Sequence, residues 1–410
     1  MTRGTAARSR PREPLGDPHL RRLVVGQGLA AVVDALFLVW LTLYVLRLSE
    51  PGLTTGFVLL AVALPRAALL LPAGVLVDRL DPARVVVGAS WLRVAVLLAL
   101  GALVTFTSPS VPAVALLAGL LGMADAAYFP AALALLPALT PPEKLSRVNA
   151  VVQGAESTGD LVGPAVAAGV VAAAGFVVTL GGIAAIAALA AIALSTLVRV
   201  AGRGRSAGDG ERPGSARALG AGLGYAWREP VVRGMLAAIA VINIAVVGPV
   251  LVGGAVLAEQ RLGGAGSLGV VLSGFGAGSL AGALIAGWRP PARRGWTVAG
   301  GVAAIGAGTA GLAVVTTVAA ATAVVTLVGL GSAFLGVVVV ATLQERVPQH
   351  LLGRVMSLVV LATVAFDPFS YVIAGVLLPY GTTTLFLACG GVVLAGAGLV
   401  AASPVLRSLR

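Results

Sequence analysis

Seven charged side chains lie inside long apolar stretches of this 410-residue sequence, where an isolated charge is unexpected. Inside a membrane each such charge costs about 2.5–3.5 kcal/mol unless it is paired or hydrated. Five of the seven are acids and two are bases, so three acids have no basic partner within this set. These acids must line water or carry a proton at neutral pH, because burial disfavours the charged form. The acids are Asp34, Asp125, Glu156, Asp160 and Asp367, and the bases are Arg66 and Arg93.

A carboxyl group that titrates as its cavity opens and closes can couple proton movement to another event. The five acids are therefore candidate proton-coupling residues, with structural hydrogen bonding or helix packing as the alternative for each. An excess of acid in a cavity also favours cationic ligands. The candidate charge pairs are Asp34 with Arg66, and Arg93 with an acid of the fourth or fifth apolar stretch. The sequence alone leaves the assignment open.

One apolar stretch carries a polar stripe. Its members are Asn149, Gln153, Glu156, Asp160 and Gly163, spaced at i, i+4, i+7, i+11 and i+14. At 100° per residue of a helix these positions fall within an arc of about 80°. Lipid cannot solvate such a face, so the stripe predicts a helix that lines a polar interior.

The composition predicts the elements that position these residues. Hydrophobic residues make up 58% of the chain and charged residues 11%, with a mean hydropathy of +1.01. A spanning helix needs about 20 apolar residues, and twelve stretches meet that length. We expect an all-α integral membrane protein; a barrel is disfavoured because the stretches are continuous rather than alternating. The predicted spans are 23–48, 53–77, 83–106, 111–139, 145–174, 177–200, 230–258, 267–288, 296–317, 321–343, 352–378 and 382–405.

The basic residues predict the orientation. Of the 28 Lys and Arg residues, 24 lie in the two terminal segments, the middle loop and the other even-numbered connections, which all share one side. Positive charge marks the cytoplasmic side, so both termini are expected in the cytoplasm. Topology and contact with anionic lipid also account for the net charge of +12 without nucleic acid. Because 27 of the 28 are arginine, a high-GC bacterial genome and hence a bacterial plasma membrane are expected.

The chain contains an internal repeat. The residue pairs Pro141 and Pro348, Arg147 and Arg354, Val148 and Val355, and Asp160 and Asp367 all match at one offset of 207. Two six-helix pseudo-repeats are the plan of many secondary transporters, which bind substrate near the middle of the membrane. The expected organisation is a basic cytoplasmic tail (1–22), a first six-helix half (23–200), a cytoplasmic linker (201–229) and a second six-helix half (230–406).

Polar and aromatic residues near the charged positions are candidates for a substrate cavity between the halves. Gln27 lies seven residues before Asp34 on the same helix face, and Asn243 lies near the repeat equivalent of Asp34. Each aromatic candidate has plain packing or anchoring at the membrane surface as its alternative. The candidates are Gln27, Phe37, Tyr128, Asn149, Gln153, Asn243, Phe366 and Tyr371.

The segment GVLVDRLDPAR, residues 74–84, resembles the loop signature of the major facilitator superfamily. The run that leads into it, LPRAALLLPAGVLVDR (64–79), and the short runs YFPA (128–131) and RVNA (147–150) resemble the branch of enterobactin exporters and macrolide-efflux proteins. The resemblance implies a cytoplasmic gate made by Gly74, Asp78, Arg79 and Arg84. A tight turn with topological charge is the alternative. The sequence departs from the signature at residues 81 and 82, where Asp and Pro replace the usual Gly and basic residue.

The segment GDLVGP, residues 159–164, resembles the antiporter signature of the same superfamily, through Gly159, Gly163 and Pro164. The signature implies export in exchange for protons, and an ordinary small-residue packing motif is the alternative. One departure concerns the fourth span, where many proton-coupled exporters carry an arginine. Residues 110–140 contain no Lys or Arg.

The expected function is proton-coupled efflux of small amphipathic molecules, such as drugs, natural products or siderophores, by alternating access. Uptake symport or facilitated transport on the same fold is the alternative, and a non-transporting membrane protein is a third reading. One cysteine and two distant histidines cannot form a metal site, and no phosphate-binding loop is present. We therefore expect no enzyme activity, cofactor or metal. The expected partners are the substrate, protons and the lipid bilayer, and a monomer suffices.

Overall fold

The computed structural model describes residues 18–49, 52–140, 142–197, 223–288, 291 and 293–407. These residues form helices and short connections, and no strand occurs among them. The predicted all-α class is therefore confirmed. The domain limits at residues 22, 200 and 229 stay predictions, because residues 1–17 and 198–222 lie outside the described part.

Five helices form an N-terminal bundle, which we define as residues 18–197. They are α1 (Pro18–Leu48), α2 (Leu53–Arg79), α3 (Pro82–Phe106), α4 (Val111–Leu139) and α5 (Pro142–Ser195). The last of these contains a break at Gly175, whose φ of +84° only glycine adopts readily. The break divides α5 into residues 142–174 and 176–195, close to the two spans predicted there.

The remaining helices form a C-terminal bundle, which we define as residues 223–407. Its first long helix, α6, changes from α to π geometry at Asn243–Val247 and Pro249–Gly253 before it ends. A turn at residues 365–366 separates two helices of one predicted span, α10 and α11. The helices are α6 (Pro230–Arg261), α7 (Ala265–Trp288), α8 (Arg294–Gly311), α9 (Val318–Arg346), α10 (Gln349–Val364), α11 (Asp367–Leu377), α12 (Thr382–Ala402) and α13 (Pro404–Arg407).

Among the described residues, 11 helical segments are long and apolar enough to cross a membrane. One of them covers both parts of α5, so the break at Gly175 makes the structure consistent with twelve spans. The outer surface fits lipid, since large apolar side chains such as Phe106 (82% exposed) and Leu399 (75%) point outward. The chain is thus a multi-pass membrane protein.

Local chemistry explains how α3 begins. Asp81 occupies the N-cap position and its carboxylate accepts a hydrogen bond of 3.1 Å from the backbone N–H of Ala83. Pro82 stands in the first turn, where its missing N–H is not needed. The two departures from the loop signature at residues 81 and 82 therefore start the next helix.

The two bundles contact each other at the face opposite the chain ends, which we call the closed face. There α2 crosses α11, and a Cβ atom at Gly56 would lie 2.7 Å from the carbonyl oxygen of Tyr371. Nearby α5 crosses α7, and a Cβ atom at Gly269 would lie 2.9 Å from the carbonyl oxygen of Pro164. Glycine at both crossings lets the backbones approach closely, as in other membrane helix pairs.

A glycine at the crossing of α7 and α9 tests the same rule within one bundle. A Cβ atom at Gly278 would lie 1.9 Å from the carbonyl oxygen of Thr326. We expect Gly278→Ala to destabilise the protein by about 1–3 kcal/mol, because a backbone must move to admit the methyl group. Thermal unfolding of the detergent-solubilised protein measures the effect as a lower Tm.

Gly287→Ala is the matched control on the same helix, since no heavy atom lies within 4 Å of its added Cβ. We expect it to leave the Tm unchanged or slightly higher. Equal Tm values for the two variants would contradict the packing interpretation.

Candidate functional site

A cavity of about 660 Å³ lies within the N-terminal bundle, between α1, α2, α4 and the first part of α5. It holds three of the charged residues singled out from the sequence, together with an amide, a phenol and an apolar wall. Its lining includes Gln27, Asp34, Phe37, Leu38, Val62, Arg66, Asp125, Tyr128, Phe129, Leu133, Leu136 and Val152.

A buried arginine organises one side of this cavity. Arg93 projects from α3 and is 3% exposed. Its Nη2 forms an ion pair and a hydrogen bond with Oδ1 of Asp34 on α1. Its Nε lies 3.1 Å from Oδ1 of Asp125 on α4. The guanidinium also stacks over the ring of Tyr128, at 5.3 Å from the ring centre.

The Arg93 network joins three helices through one cation and two carboxylates. Its two acids differ in access, because the side chain of Asp34 is 39% exposed and that of Asp125 is 11% exposed. With both acids ionised the three groups sum to one negative charge, and the cation of Arg66 lines the same cavity. Asp34 is the more exposed acid, so it is the one that the cavity opens to a proton or a cationic group.

The expected pairing of Asp34 with Arg66 was wrong. The ion pair of Asp34 is formed with Arg93, and among the described residues no carboxylate lies within 4 Å of the Arg66 guanidinium. The expected pairing of Arg93 with an acid of the fourth span is present as its contact with Asp125. Helix packing decides this outcome, because α3 turns Arg93 into the space between α1 and α4, while Arg66 faces the cavity.

Arg66 lines the cavity with Asp34 and Asp125 of its own bundle, without an ion pair to either. Together with Arg93, the structure therefore brings four of the seven predicted intramembrane charges around one cavity. Asp367 begins α11 in the C-terminal bundle.

Three of the predicted residues line this cavity, whose described lining comes from the N-terminal bundle and not, as expected, from both halves. The amide of Gln27 donates a hydrogen bond of 3.3 Å to the backbone oxygen of Ala132, and its own oxygen finds no partner among the described atoms. Phe37 lines the cavity and stacks on Trp40, with 6.1 Å between ring centres. Tyr128 lies beneath Arg93.

Three other candidates lie away from the described lining. Asn243 donates a hydrogen bond of 2.9 Å to the backbone oxygen of Ile239, where the π geometry of α6 begins. Phe366 lies in the turn before α11 and contacts Phe369. Tyr371 is 4% exposed, and its backbone packs against α2.

Seven of the predicted residues belong to α2 or α5 by their backbone, but their side chains lie outside the described part of the structure. They are Gly74, Asp78, Arg79, Asn149, Gln153, Glu156 and Asp160. Of the gate motif, Arg84 is described, and its Nε lies 3.7 Å from Asp81 in the same turn. The side chain of Arg84 is 78% exposed, so this contact stays at the surface of its own turn.

The glycines of the antiporter motif lie where α5 crosses α1. A Cβ atom at Gly159 would lie 3.1 Å from the backbone nitrogen of Val32, and one at Gly163 would lie 2.6 Å from Cβ of Ala35. Pro164 faces α7 instead, as its carbonyl approaches Gly269. At this motif α5 therefore packs against α1 of its own bundle and also against α7 of the C-terminal bundle.

The sequence did not predict a pair of contacts that join α1 to Phe176 near the closed face. The indole N–H of Trp40 donates a hydrogen bond of 2.9 Å to the backbone oxygen of Phe176, directly after the break at Gly175. Arg47 lies over the ring of Phe176, at 5.5 Å from its centre. The signal available in the sequence was an aromatic residue directly after a glycine between two spans. It did not indicate the partners, which lie more than 100 positions away.

The described residues contain no group of three or more His, Cys, Asp or Glu side chains arranged to hold a metal ion. A bundle of membrane-spanning helices around a cavity with buried, partly compensated charges defines the class, a membrane transporter rather than an enzyme. A family model described as Major Facilitator Superfamily matches residues 23–366. The chain belongs to that superfamily.

Solved structures share the fold at low sequence identity. A peptide transporter POT variant in complex with alafosfalin has a TM-score of 0.76 and 16% identity, covering 97% of this chain and 96% of that chain. The nucleoside transporter NupG has a TM-score of 0.74 and 12% identity, covering 96% of this chain and 100% of that chain. At these identities the likeness establishes the fold alone. No curated protein matches the sequence significantly.

The Arg93 network predicts a stability effect that depends on charge balance. We expect Arg93→Met to destabilise the protein by about 3–5 kcal/mol, because it leaves two carboxylates in a poorly solvated place without a cation. Adding Asp34→Asn and Asp125→Asn to Arg93→Met should recover most of the loss. Thermal unfolding of the three single variants and the triple variant tests this expectation.

Glu345→Gln is the control, because Glu345 forms a solvent-exposed ion pair with Arg294 at 2.5 Å, and such pairs contribute little to stability. A triple variant no more stable than Arg93→Met would show that the network acts through shape rather than charge.

Proposed function

We propose that this protein exports small amphipathic molecules, such as drugs, natural products or siderophores, in exchange for protons by alternating access. The observation that carries the proposal is the Arg93 network, in which one cation serves two carboxylates at the wall of a cavity. A carboxylate of this network that takes up or releases a proton changes the charge of the cavity wall by one unit, and exchange of a proton for a cationic substrate needs such a change.

The chemistry follows from competition at Asp34. When Asp34 is protonated, Arg93 keeps the carboxylate of Asp125 as its ionised partner. When Asp34 releases its proton, one negative charge is added to the cavity wall and attracts a cationic group of a substrate. Proton and substrate then occupy the same site alternately, and this alternation is the basis of antiport.

The cavity wall fits the apolar part of such a substrate. Phe37, Phe129 and Leu133 line it opposite the charged residues. A molecule with a cationic group and a hydrophobic body could place the cation at Asp34 and the body against these side chains. Burial of apolar surface supplies affinity with little shape selectivity, which suits varied substrates.

The contacts between the bundles support a state in which the cavity accepts substrate from the side of the chain ends. The bundles touch at the closed face, and the cavity lining extends along α1 and α4 towards the chain ends. With the termini in the cytoplasm, as the distribution of basic residues predicts, the cavity would receive substrate from the cytoplasm. Glu156, Asp160 and Asp367 are further candidate proton carriers in this scheme, and the antiporter motif favours the export direction.

Proton-coupled uptake is the second candidate. Peptide and nucleoside transporters are among the solved structures with this fold, and the same network could load proton and substrate together. In either case we place the protein as a monomer in a bacterial plasma membrane.

Inside-out membrane vesicles with an acidic lumen test the direction. A panel of lipophilic cations, macrolides and siderophores is added outside while a dye reports the lumenal pH. Antiport predicts that a substrate raises the lumenal pH and that Asp34→Asn abolishes the response. Asp125→Asn and Asp160→Asn test the other acids, and Glu345→Gln, an exposed carboxylate away from the cavity, should respond like the unaltered protein.

Uptake predicts the opposite requirement, because a compound must then be loaded inside the vesicle to drive proton loss. A full response in Asp34→Asn would remove Asp34 from the proton pathway. A response in neither arrangement for any compound would contradict proton coupling for the substrate classes of the panel.

A further inference from the structure

Arg66 lines the cavity but takes no part in the Arg93 network. Among the described residues its guanidinium forms neither an ion pair nor a hydrogen bond. A charge inside a membrane is costly unless it is paired or hydrated, so a cation in this place calls for a reason. An ionisable side chain that faces a cavity at membrane depth marks a ligand site. Arg66 is therefore a candidate partner for an anionic group that enters the cavity.

The packing of α2 against α4 fixes the position of Arg66. A Cβ atom at Gly122 of α4 would lie 2.1 Å from the carbonyl oxygen of Val62, so the two backbones touch there. Arg66 follows Val62 by four residues, and Asp125 follows Gly122 by three residues on a helix that runs in the same direction. At 1.5 Å per residue they lie about 6 Å and about 4.5 Å beyond the contact. Arg66 is thus held at the depth of the Arg93 network.

The four described charges of this region sum to zero when all are ionised. Arg66 and Arg93 are the cations, and Asp34 and Asp125 are the carboxylates. A purely cationic ligand would meet Asp34 but would bring a further cation close to Arg66. A purely anionic ligand would meet Arg66 but would face Asp34. A ligand with both charges gives each of these two side chains an opposite partner and keeps the sum at zero, which limits the cost of burying charge.

The remaining chemistry of the cavity narrows the ligand further. The guanidinium of arginine is planar and always charged, and it donates two parallel hydrogen bonds to the two oxygens of a carboxylate. Phe129 and Leu133 belong to an apolar part of the wall, and the volume of about 660 Å³ suits a drug-sized molecule. The lining therefore fits an ammonium group, a carboxylate and an apolar body in one molecule.

We propose that the cavity binds a zwitterionic amphipathic molecule, whose carboxylate pairs with Arg66 while its ammonium group pairs with Asp34. Arg66 is then the specificity-determining residue that separates zwitterions from simple cations. The proposal rests on the proposed function in taking this cavity as the substrate site, and it narrows the substrate class. Protonation of Asp34 removes the partner of the ammonium group and leaves the carboxylate on Arg66, so the proton competes with one end of the ligand only.

Probes that differ only in charge test the proposal on the full-length protein in lipid nanodiscs. Norfloxacin is zwitterionic at neutral pH, its methyl ester is cationic and N-acetylnorfloxacin is anionic. Terminally aminated octanoic acid, its methyl ester and its N-acetyl derivative form a second set, in which a flexible chain adjusts the span between the charges. Isothermal titration calorimetry at neutral pH gives the dissociation constant of each probe.

We expect each zwitterion to bind at least about tenfold tighter than its ester and its N-acetyl derivative, the lower end for a charge-assisted hydrogen bond. Arg66→Gln should remove the preference over the ester and leave the affinity for the ester unchanged or higher. Asp34→Asn should instead remove the preference over the N-acetyl derivative. Arg66→Lys, which keeps the charge without the planar fork, should keep part of the preference. Arg293→Gln is the matched control, because it removes an exposed cation outside the described cavity lining.

Zwitterions that bind no tighter than their esters in both sets would overturn the proposal, and so would an Arg66→Gln variant that keeps the full preference. Absence of binding by both zwitterions would overturn it as well. If Arg66→Gln does not fold, the three-way comparison on the unaltered protein and Arg66→Lys still decide the question.

The outcome is separable from antiport. Esters that drive a proton exchange lost in Asp34→Asn, with no preference that depends on Arg66, would retain the proposed function and reject this inference. Zwitterion binding that depends on Arg66, without proton exchange for any probe, would retain the inference and reject antiport.

Discussion

The structure depends on how a membrane-spanning bundle accommodates charge. Arg93 is almost fully buried and must be compensated, and two carboxylates from two other helices do so. That requirement fixes the relative positions of α1, α3 and α4 more specifically than apolar packing could, since lipid competes equally for apolar side chains. The two carboxylates of the same network give the cavity its chemistry. One interaction thus contributes both to the fold and to the site.

Small residues supply the second constraint. Glycines bring α5 against α1, α7 against α9 and α2 against α11 at distances that leave no space for a methyl group. Within a bundle such contacts fix the packing. Between the bundles they occur at the closed face, where the backbones of α2 and α11 and of α5 and α7 come close. A transporter needs both kinds of contact, and the same residue type provides them.

The two intramembrane arginines lie in different surroundings. Arg93 is enclosed by its carboxylates and joins three helices, whereas Arg66 faces the cavity without an ion pair among the described residues. Helix packing therefore makes two bases of the same type non-equivalent.

The sequence alone determined the class of fold and most of the residues of the site. The length of each apolar stretch and the absence of alternation are local properties, so the all-α membrane fold follows from them. The cost of an intramembrane charge made Asp34, Asp125 and Arg93 conspicuous for the same reason. The tertiary structure decided the partners. Arg93 rather than Arg66 pairs with Asp34, and Trp40 reaches Phe176, because these contacts depend on the rotation of each helix about its axis. That rotation results from packing against several neighbours at once, which no local pattern records.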